Sequence, residues 1–370
     1  MKKNHFISIG LMALSLFLIS WGSTGHYKIN TAAGLSFNSE MEQFNGWVSI
    51  LAAHASDADY RKSDDPTEGP KHYIDIDNYN EFNTQGRIPQ TLDSVIAIHG
   101  SSFVYGNGIL PWATLAAFDS LESCFERRDW DKAVLFASDL GHYVADGHMP
   151  LHITKNYDGQ YTGNNGIHSR YESTMVNAYI SQFTYEGSDA TEIQDVRQYV
   201  FNYLYTNTGF VSAVIDADDN AKSINSSTSS TEYKMALWDQ TKDFTIPLFS
   251  NASHALAELI YTAWLKAGSP LMITDAVFTR AHDNGFRLEE VAPNPIRNST
   301  RIHYTLTQAS DIQILVVSLS GQLIEMLEQG HKENGSYTIE WQPTYLQSGV
   351  YYIVLKSGQY ADIKKVVVAR

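Results

Sequence analysis

From Trp21 to about Gly268 the apolar residues recur at the spacing of a helix. Between Pro111 and Arg127, the side chains of Leu115, Phe118, Leu121 and Phe125 fall on one face. Pro111 suits the first turn, where a backbone N–H has no partner to lose. Ala133, Ala137, Leu140 and Val144 repeat the stripe between Trp130 and Val144, and Ile193, Val196, Val200 and Leu204 repeat it again. The serine-rich stretch Ser223 to Ser230 reads as a loop. A last helical region runs through Trp238 and Leu256 to Trp264, with Gly268 and Pro270 as its stop. After Pro270 the period drops to two. Ile302, Tyr304 and Leu306 alternate with polar residues, as do Tyr337, Ile339 and Trp341, and Val350, Tyr352 and Val354. Ser320-Gly321, Asn334-Gly335 and Ser348-Gly349 mark turns between such runs. The pattern predicts a mainly α, multi-helix domain over 21–270, a linker over 271–287, and a small all-β, Ig-like sandwich over 288–370.

Composition sharpens this picture in three ways. With 43% hydrophobic residues the chain can build a real core. A formal net charge of −15 repels phosphate backbones at long range, which excludes a basic, sequence-independent nucleic-acid binder. A nuclease stays open, because bound metal reverses the local field. The single cysteine, Cys124, permits no intrachain disulfide and no multi-cysteine zinc site, and reads as a buried apolar residue. Lys2 and Lys3, the mostly apolar run from Phe6 to Ile19 and the small Ser20 form the pattern of a signal peptide over 1–20. No later segment is long and apolar enough to span a bilayer, so an exported mature chain without a transmembrane segment is expected.

Nine histidines lie between Trp21 and Gly268, and their company points to chemistry. His142 and Asp146 are four apart, so on a helix they share a face. An imidazole and a carboxylate on one face can hold one zinc ion. His168 and Glu172 repeat the spacing, and His152 lies between the pairs, after Pro150. A lone pair of this kind is usually a surface interaction; two pairs with a histidine between them point to a multinuclear metal site built between helices.

The segment Trp21-Gly22-Ser23-Thr24-Gly25-His26 resembles the mature start of the zinc-dependent phospholipase C and S1/P1 nuclease group. Ala58-Asp59-Tyr60, His72 in Lys71-His72-Tyr73, the run from His142 to His152, and His168-Ser169-Arg170-Tyr171-Glu172 match the rest of that pattern in order. The resemblance implies a helical phosphoesterase fold and three zinc ions. One takes Asp59, His72, His142 and Asp146. The second takes His152, His168 and Glu172. The third takes Trp21, through its free α-amino and carbonyl groups, and His26, with Asp146 bridging. Cleavage between Ser20 and Trp21 would expose that amine. Asp57 is a rival to Asp59. The implied reaction is hydrolysis of a phosphodiester by a zinc-activated hydroxide, with Asp59 as ligand and proton acceptor. Tyr60, Arg61 and His148 are weak candidates for substrate contact. His54, His99 and His254 match no ligand position. Glu172 and the lack of disulfides resemble the phospholipase branch. Trp21-Gly-x-x-Gly-His26 and Asp146-Gly-His148-Met-Pro-Leu-His152 resemble the single-strand nuclease/3′-nucleotidase branch. Thr24 and Gly69 stand where the phospholipases carry parts of a choline pocket. A phospholipase C-like activity is the working expectation, a nuclease the alternative, and a non-catalytic zinc-holding surface protein the third reading.

Ala292-Pro293-Asn294-Pro295 and the following Thr300 to Leu306 resemble the start of a type A sorting domain of the type IX secretion pathway. Gly321, Trp341, Leu346, Gly349-Val350-Tyr351 and the closing run Lys364 to Arg370 fit the same pattern. This implies recognition by the type IX machinery and passage through the periplasm to the cell surface or beyond.

Overall fold

A computed structural model describes residues 22–272, 285–318, 323–344, 346–357 and 360–369. The expected signal peptide, Trp21, most of the expected linker and the Ser320-Gly321 turn lie outside them. The helical part is built on α1 (Gly22–Ala33), α2 (Leu110–Arg127), α3 (Trp130–Gly147), α4 (Val196–Asn207), α5 (Val211–Ile224) and α6 (Thr231–Lys266). α2 and α3 form an antiparallel hairpin, and α6 packs against α1, α2, α3 and α5. The stripes read from sequence are the buried faces: Phe118, Leu121 and Phe125 on α2, and Ala133, Ala137, Leu140 and Val144 on α3. Ile193 is buried but precedes α4, so that stripe crosses a helix start. Arg128, in the left-handed region at φ 56°, turns the chain between α2 and α3, and the Asp129 N–H donates to the Cys124 carbonyl at 2.9 Å. Cys124 is buried, and burial pushes its thiol pKa up.

Two features went unread in the pattern. α6 is one helix of 36 residues that continues through Pro247. Gly268, at φ 82°, donates to the Leu265 carbonyl, and the Ser269 N–H donates to the Trp264 carbonyl, which closes the helix where expected. The second half of α3 is buried all round: every residue from Leu140 to Gly147 is covered. Polar groups there have no water and must be met by protein or by a ligand. Gly141 permits this enclosure. A Cβ at that position would lie 2.4 Å from Asn30 Oδ1 of α1 and 2.7 Å from Leu256 Cδ2 of α6. Asn30 is itself pinned, donating to the Leu51 carbonyl at 3.0 Å and to that of Ser138 at 3.3 Å.

The C-terminal part is all β. Strands β1 (Phe286–Ala292), β2 (Thr300–Leu306) and β5 (Gly335–Trp341) form one antiparallel sheet in the order β1-β2-β5. Strands β3 (Ser310–Ser318), β4 (Leu323–Lys332), β6 (Gly349–Ser357) and β7 (Tyr360–Val368) form a second, ordered β4-β3-β6-β7. Ile302, Tyr304, Leu306 and Trp341 of the first sheet share a core with Ile312, Ile314, Val316, Ile353 and Leu355 of the second, so the two sheets form a sandwich. β1 begins inside the segment expected as linker, because Phe286 as well as Leu288 faces that core. No described helix is long and apolar enough to cross a membrane.

Gly141→Ala tests the enclosure of α3. Alanine is the better helix former by about 1 kcal/mol. Overpacking against the pinned Asn30 costs about 1–3 kcal/mol and should win. The expected result is a lower melting temperature by circular dichroism, about 2–4 °C per kcal/mol lost. An unchanged or raised melting temperature would show that Asn30 and Leu256 simply give way.

Candidate metal centre

α3 carries His142 and Asp146 into the dry interior, and four other segments bring His26, Asp59, His72 and His152 to meet them. Asp59 sits on the short helix Asp57–Arg61, and His72 ends the turn Gly69–His72. His142 Nε2 lies 2.9 Å from His72 Nδ1, 3.6 Å from Asp59 Oδ1 and 3.4 Å from Asp146 Oδ2. His72 Nδ1 lies 3.0 Å from Asp146 Oδ2 and 3.6 Å from Asp59 Oδ1. Four donors about 2.1 Å from a tetrahedral zinc ion stand about 3.4 Å from one another. These separations fit such an ion. Asp57 is not at this site: it pairs with His54 on the half-exposed surface at 2.7 Å.

The second group joins His152 to the pair that follows it. His152 Nε2 and His168 Nε2 lie 3.4 and 3.1 Å from Glu172 Oε2. Glu172 sits on a π-helical turn, Arg170–Met175, that continues the short helix bearing His168. Wide turns of this kind often mark functional sites. Both Nε2 atoms are buried without a hydrogen bond of good geometry among the described residues. Orphaned buried nitrogens beside a carboxylate are what a metal ligand looks like before its ion is placed.

Asp146 links a third group. Its Oδ1 lies 3.5 Å from His26 Nε2, while its Oδ2 faces His72 and His142. The His26 and His142 rings stack at 3.9 Å. Three sets of donors are grouped closely enough to hold a metal ion: His26, His142 and Asp146; Asp59, His72 and His142; and His152, His168 and Glu172, the first two being alternatives for the single free nitrogen of His142. Trp21, expected beside His26, lies outside the described residues.

The ring orientations are set from behind. His142 Nδ1 meets the Ala55 carbonyl at 2.7 Å, His152 Nδ1 that of His72 at 2.6 Å, and His168 Nδ1 that of Tyr157 at 3.3 Å. A carbonyl only accepts, so Nδ1 holds the proton and Nε2 turns toward the donor group. The charges follow the same plan. Burial pushes Asp146 up, but His142 and His152 beside it, with hydrogen bonds from His142 and His72, hold it well below the usual carboxylate range. Burial opposes ionisation of Asp59 and Glu172 too; neighbouring His142 and Lys62 lower the first, and His168 and His152 the second.

Glu68 is a residue the sequence reading missed. It is buried, takes bonds from Tyr143 and from Lys71 at 2.7 Å, and holds Oε1 3.6 Å from His72 Nε2. Burial raises its pKa, yet the hydrogen bonds of His72, Lys71 and Tyr143 outweigh it, and the carboxylate stays ionised. Glu68 and His72 are four apart, the same spacing that singled out the other pairs. Lys62 was missed as well: its ammonium lies 2.6 Å from Asp59 Oδ1.

The weak substrate candidates divide. Tyr60 is exposed beside Asp59. Arg61 is committed to Asp139 at 3.0 Å and Glu68 at 3.4 Å. His148 is sealed under Tyr203 with ring centroids 4.5 Å apart, and burial lowers its pKa to about 4. His99 and His254 pair with Glu81 and Glu258, away from the three groups.

Comparison with known proteins decides the C-terminal part. Residues 290–369 match the family described as the secretion system C-terminal sorting domain. This sandwich is a sorting domain. It addresses the chain through type IX secretion to the cell surface or the outside. No curated protein matches the sequence. Solved structures similar to the chain include the alpha-toxin of an avian strain of Clostridium perfringens, at TM-score 0.45 and 12% identity over 93% of this chain and 98% of that one. The alpha toxin from Clostridium absonum aligns at TM-score 0.44 and 9% identity over 95% and 98%.

Two outcomes follow. Zinc added to chelator-stripped protein should raise its melting temperature, since a ligand present at a thousand times its dissociation constant stabilises by about 4 kcal/mol. His142→Ala, which serves two of the three groups, should lose most of that rise; a full rise in the variant would refute the assignment. Deleting Val350 to Arg370 removes β6 and β7 of the sorting domain, and the truncated chain should accumulate in the periplasm by cell fractionation. Normal export of the truncation would count against the sorting role.

Proposed function

We propose that the chain is an exported, zinc-dependent phosphoesterase of the phospholipase C type, with three ions held by Trp21 and His26, by Asp59, His72, His142 and Asp146, and by His152, His168 and Glu172. The observation that carries the reading is the sharing of Asp146. One carboxylate offers Oδ2 to one donor group and Oδ1 to the next. Ions on its two sides would stand close enough to clamp a single phosphoryl group, about 3.5–4 Å apart in two-metal sites.

Zinc bound there would supply Lewis acidity toward phosphoryl oxygens and lower the pKa of water to about 7. The chain's own residues do the rest. Asp59 stays ionised, and its Oδ2 is buried with no hydrogen-bond partner among the described residues, so it can take the proton of the attacking water. Lys62, already against Asp59, brings positive charge to where a phosphoryl group would bind. The stacked and enclosed histidines exclude water from the α3 side of the site. Export through the sorting domain suits an enzyme whose substrate lies outside the cell. The net charge of −15 gives the chain no long-range attraction to a nucleic-acid backbone.

Zinc-loaded full chain should release the phosphorylated head group and diacylglycerol from phosphatidylcholine or other phospholipid vesicles, and a chelator should abolish the activity. The double variant His142→Ala, Glu172→Ala should lose at least about 10²–10³-fold in turnover, the scale of losing one group that stabilises the developing charge. Cleavage of single-stranded DNA, RNA or 3′-nucleotides without phospholipid cleavage would replace this reading with the nuclease one. Zinc binding with no turnover on any of these would leave a surface protein that holds metal.

A further inference from the structure

Behind the group of His152, His168 and Glu172 lies a carboxylate that none of the metal sets uses. Asp218, on α5, has no solvent exposure. Arg170 Nη2 donates to its two oxygens at 2.9 and 3.0 Å, Asn164 Nδ2 donates at 2.8 Å, and Lys222 Nζ lies 2.5 Å away. The Tyr233 hydroxyl donates as well. Two cations, Arg170 and Lys222, and two neutral donors, Asn164 and Tyr233, satisfy a group that burial would otherwise neutralise.

The partners are not scattered. Asn164 and Arg170 bracket His168 in the chain, and Arg170 opens the π-helical turn that carries Glu172. Arg170 also gathers the loop before it, donating to the carbonyls of Asn165 at 2.8 Å and Asn164 at 3.1 Å. Gly166 sits at φ 83°, a backbone conformation that other residues rarely adopt, and a Cβ there would press on Arg170 Nη1 at 2.7 Å. The loop closes on itself, with the Asn164 N–H donating to the Gly159 carbonyl and the Gly159 N–H to that of Asn156. Beside Asn156 stands Tyr157, whose carbonyl receives His168 Nδ1. One carboxylate on α5 therefore grips both ends of the segment that aims His168, and the start of the turn that aims Glu172.

We propose that Asp218 is the positioning residue of this second donor group, holding His168 and Glu172 at ligand distance through Asn164 and Arg170. The proposal rests on reading that group as a zinc site. A merely structural anchor would lower stability; a positioning residue also weakens one class of zinc site and spares the others.

The test is a zinc titration of chelator-stripped full chain against a chromophoric chelator, on the parent and four variants. Glu172→Ala identifies which class of site belongs to this group. Asp218→Asn should weaken that same class by about tenfold or more, the usual scale for a residue that orients a ligand, with the other classes within about twofold of the parent. Glu258→Gln is the stability control. Glu258 is a buried carboxylate on α6 that binds Thr191 and Tyr199 at 2.7 Å and touches none of the donor groups. It should lower the melting temperature and leave every zinc class unchanged. Asn164→Ala removes only the loop arm and should weaken the same class by about threefold or more; it carries the test alone if Asp218→Asn does not fold. Parent-like zinc binding in Asp218→Asn, or in Asn164→Ala where Asp218→Asn does not fold, or an equal loss across all classes, overturns the proposal. A parent chain that binds no zinc overturns the zinc reading beneath it, which is a different result.

Discussion

The helical domain is organised around one buried carboxylate. Asp146 sits in the part of α3 that is covered on every side, yet it stays ionised. Isolated there, it would cost several kcal/mol or take up a proton. Its oxygens instead meet His72 and His142 on one side and His26 on the other. That requirement spreads outward. α1 must lie close enough to bring His26, so Gly141 must be small and Asn30 must brace the crossing. Asp59 and His72 must come from a long excursion between α1 and α2 that is built of short helices and single turns. Glu68, Tyr143, Lys71 and Arg61 then form the layer that steadies His72.

Much of this was legible. Spacing alone paired His142 with Asp146 and His168 with Glu172, because residues four apart on a helix face the same way. Resemblance added His26, Asp59 and His72, which spacing could not join, since the contacts run across 70 residues or more for His72 with His142. What stayed hidden has a common cause: it depends on which surfaces are covered. The stripe on α3 predicts one buried face, but the helix end is buried on all faces, and nothing in its local period says so. Glu68 is a carboxylate just before Gly69-Pro70, and only the closed fold shows that it is buried. His148 looks like one more member of a histidine cluster, yet helix geometry turns it toward Tyr203.

The sandwich shows the same limit from the other side. Strands with one buried face alternate, and β2, with Ile302, Tyr304 and Leu306 inward, was readable. β3 was not. Ile312, Ile314 and Val316 face the core between the sheets, while Leu315 and Val317 belong to a second apolar cluster with Val354 and Ile363 on the outer side. A strand covered on both faces gives a continuous apolar run with no period to read. The sorting domain was nonetheless recognisable, because its signature lies in turns and in its last strand.

The electrostatics of the donor groups point the same way as their distances. His142 sits between Asp146 and Asp59; burial lowers its pKa, but the two carboxylates prevail and raise it to about 9. His26, stacked on it at 3.9 Å, is driven down to about 3 by burial and by His142 itself. Two touching imidazoles cannot both carry charge in a dry site. A proton can therefore neutralise only part of the carboxylate charge gathered here. Lys62 lends further positive charge by reaching to Asp59. A divalent ion does what these substitutes do incompletely: it accepts both imidazole lone pairs without protonating either ring and balances the carboxylates directly. Carboxylates gathered around a ring such as His142, whose Nδ1 is already tied to a carbonyl, suit a metal ion, and the burial that makes the cluster costly is the same burial that would make a bound ion chemically potent.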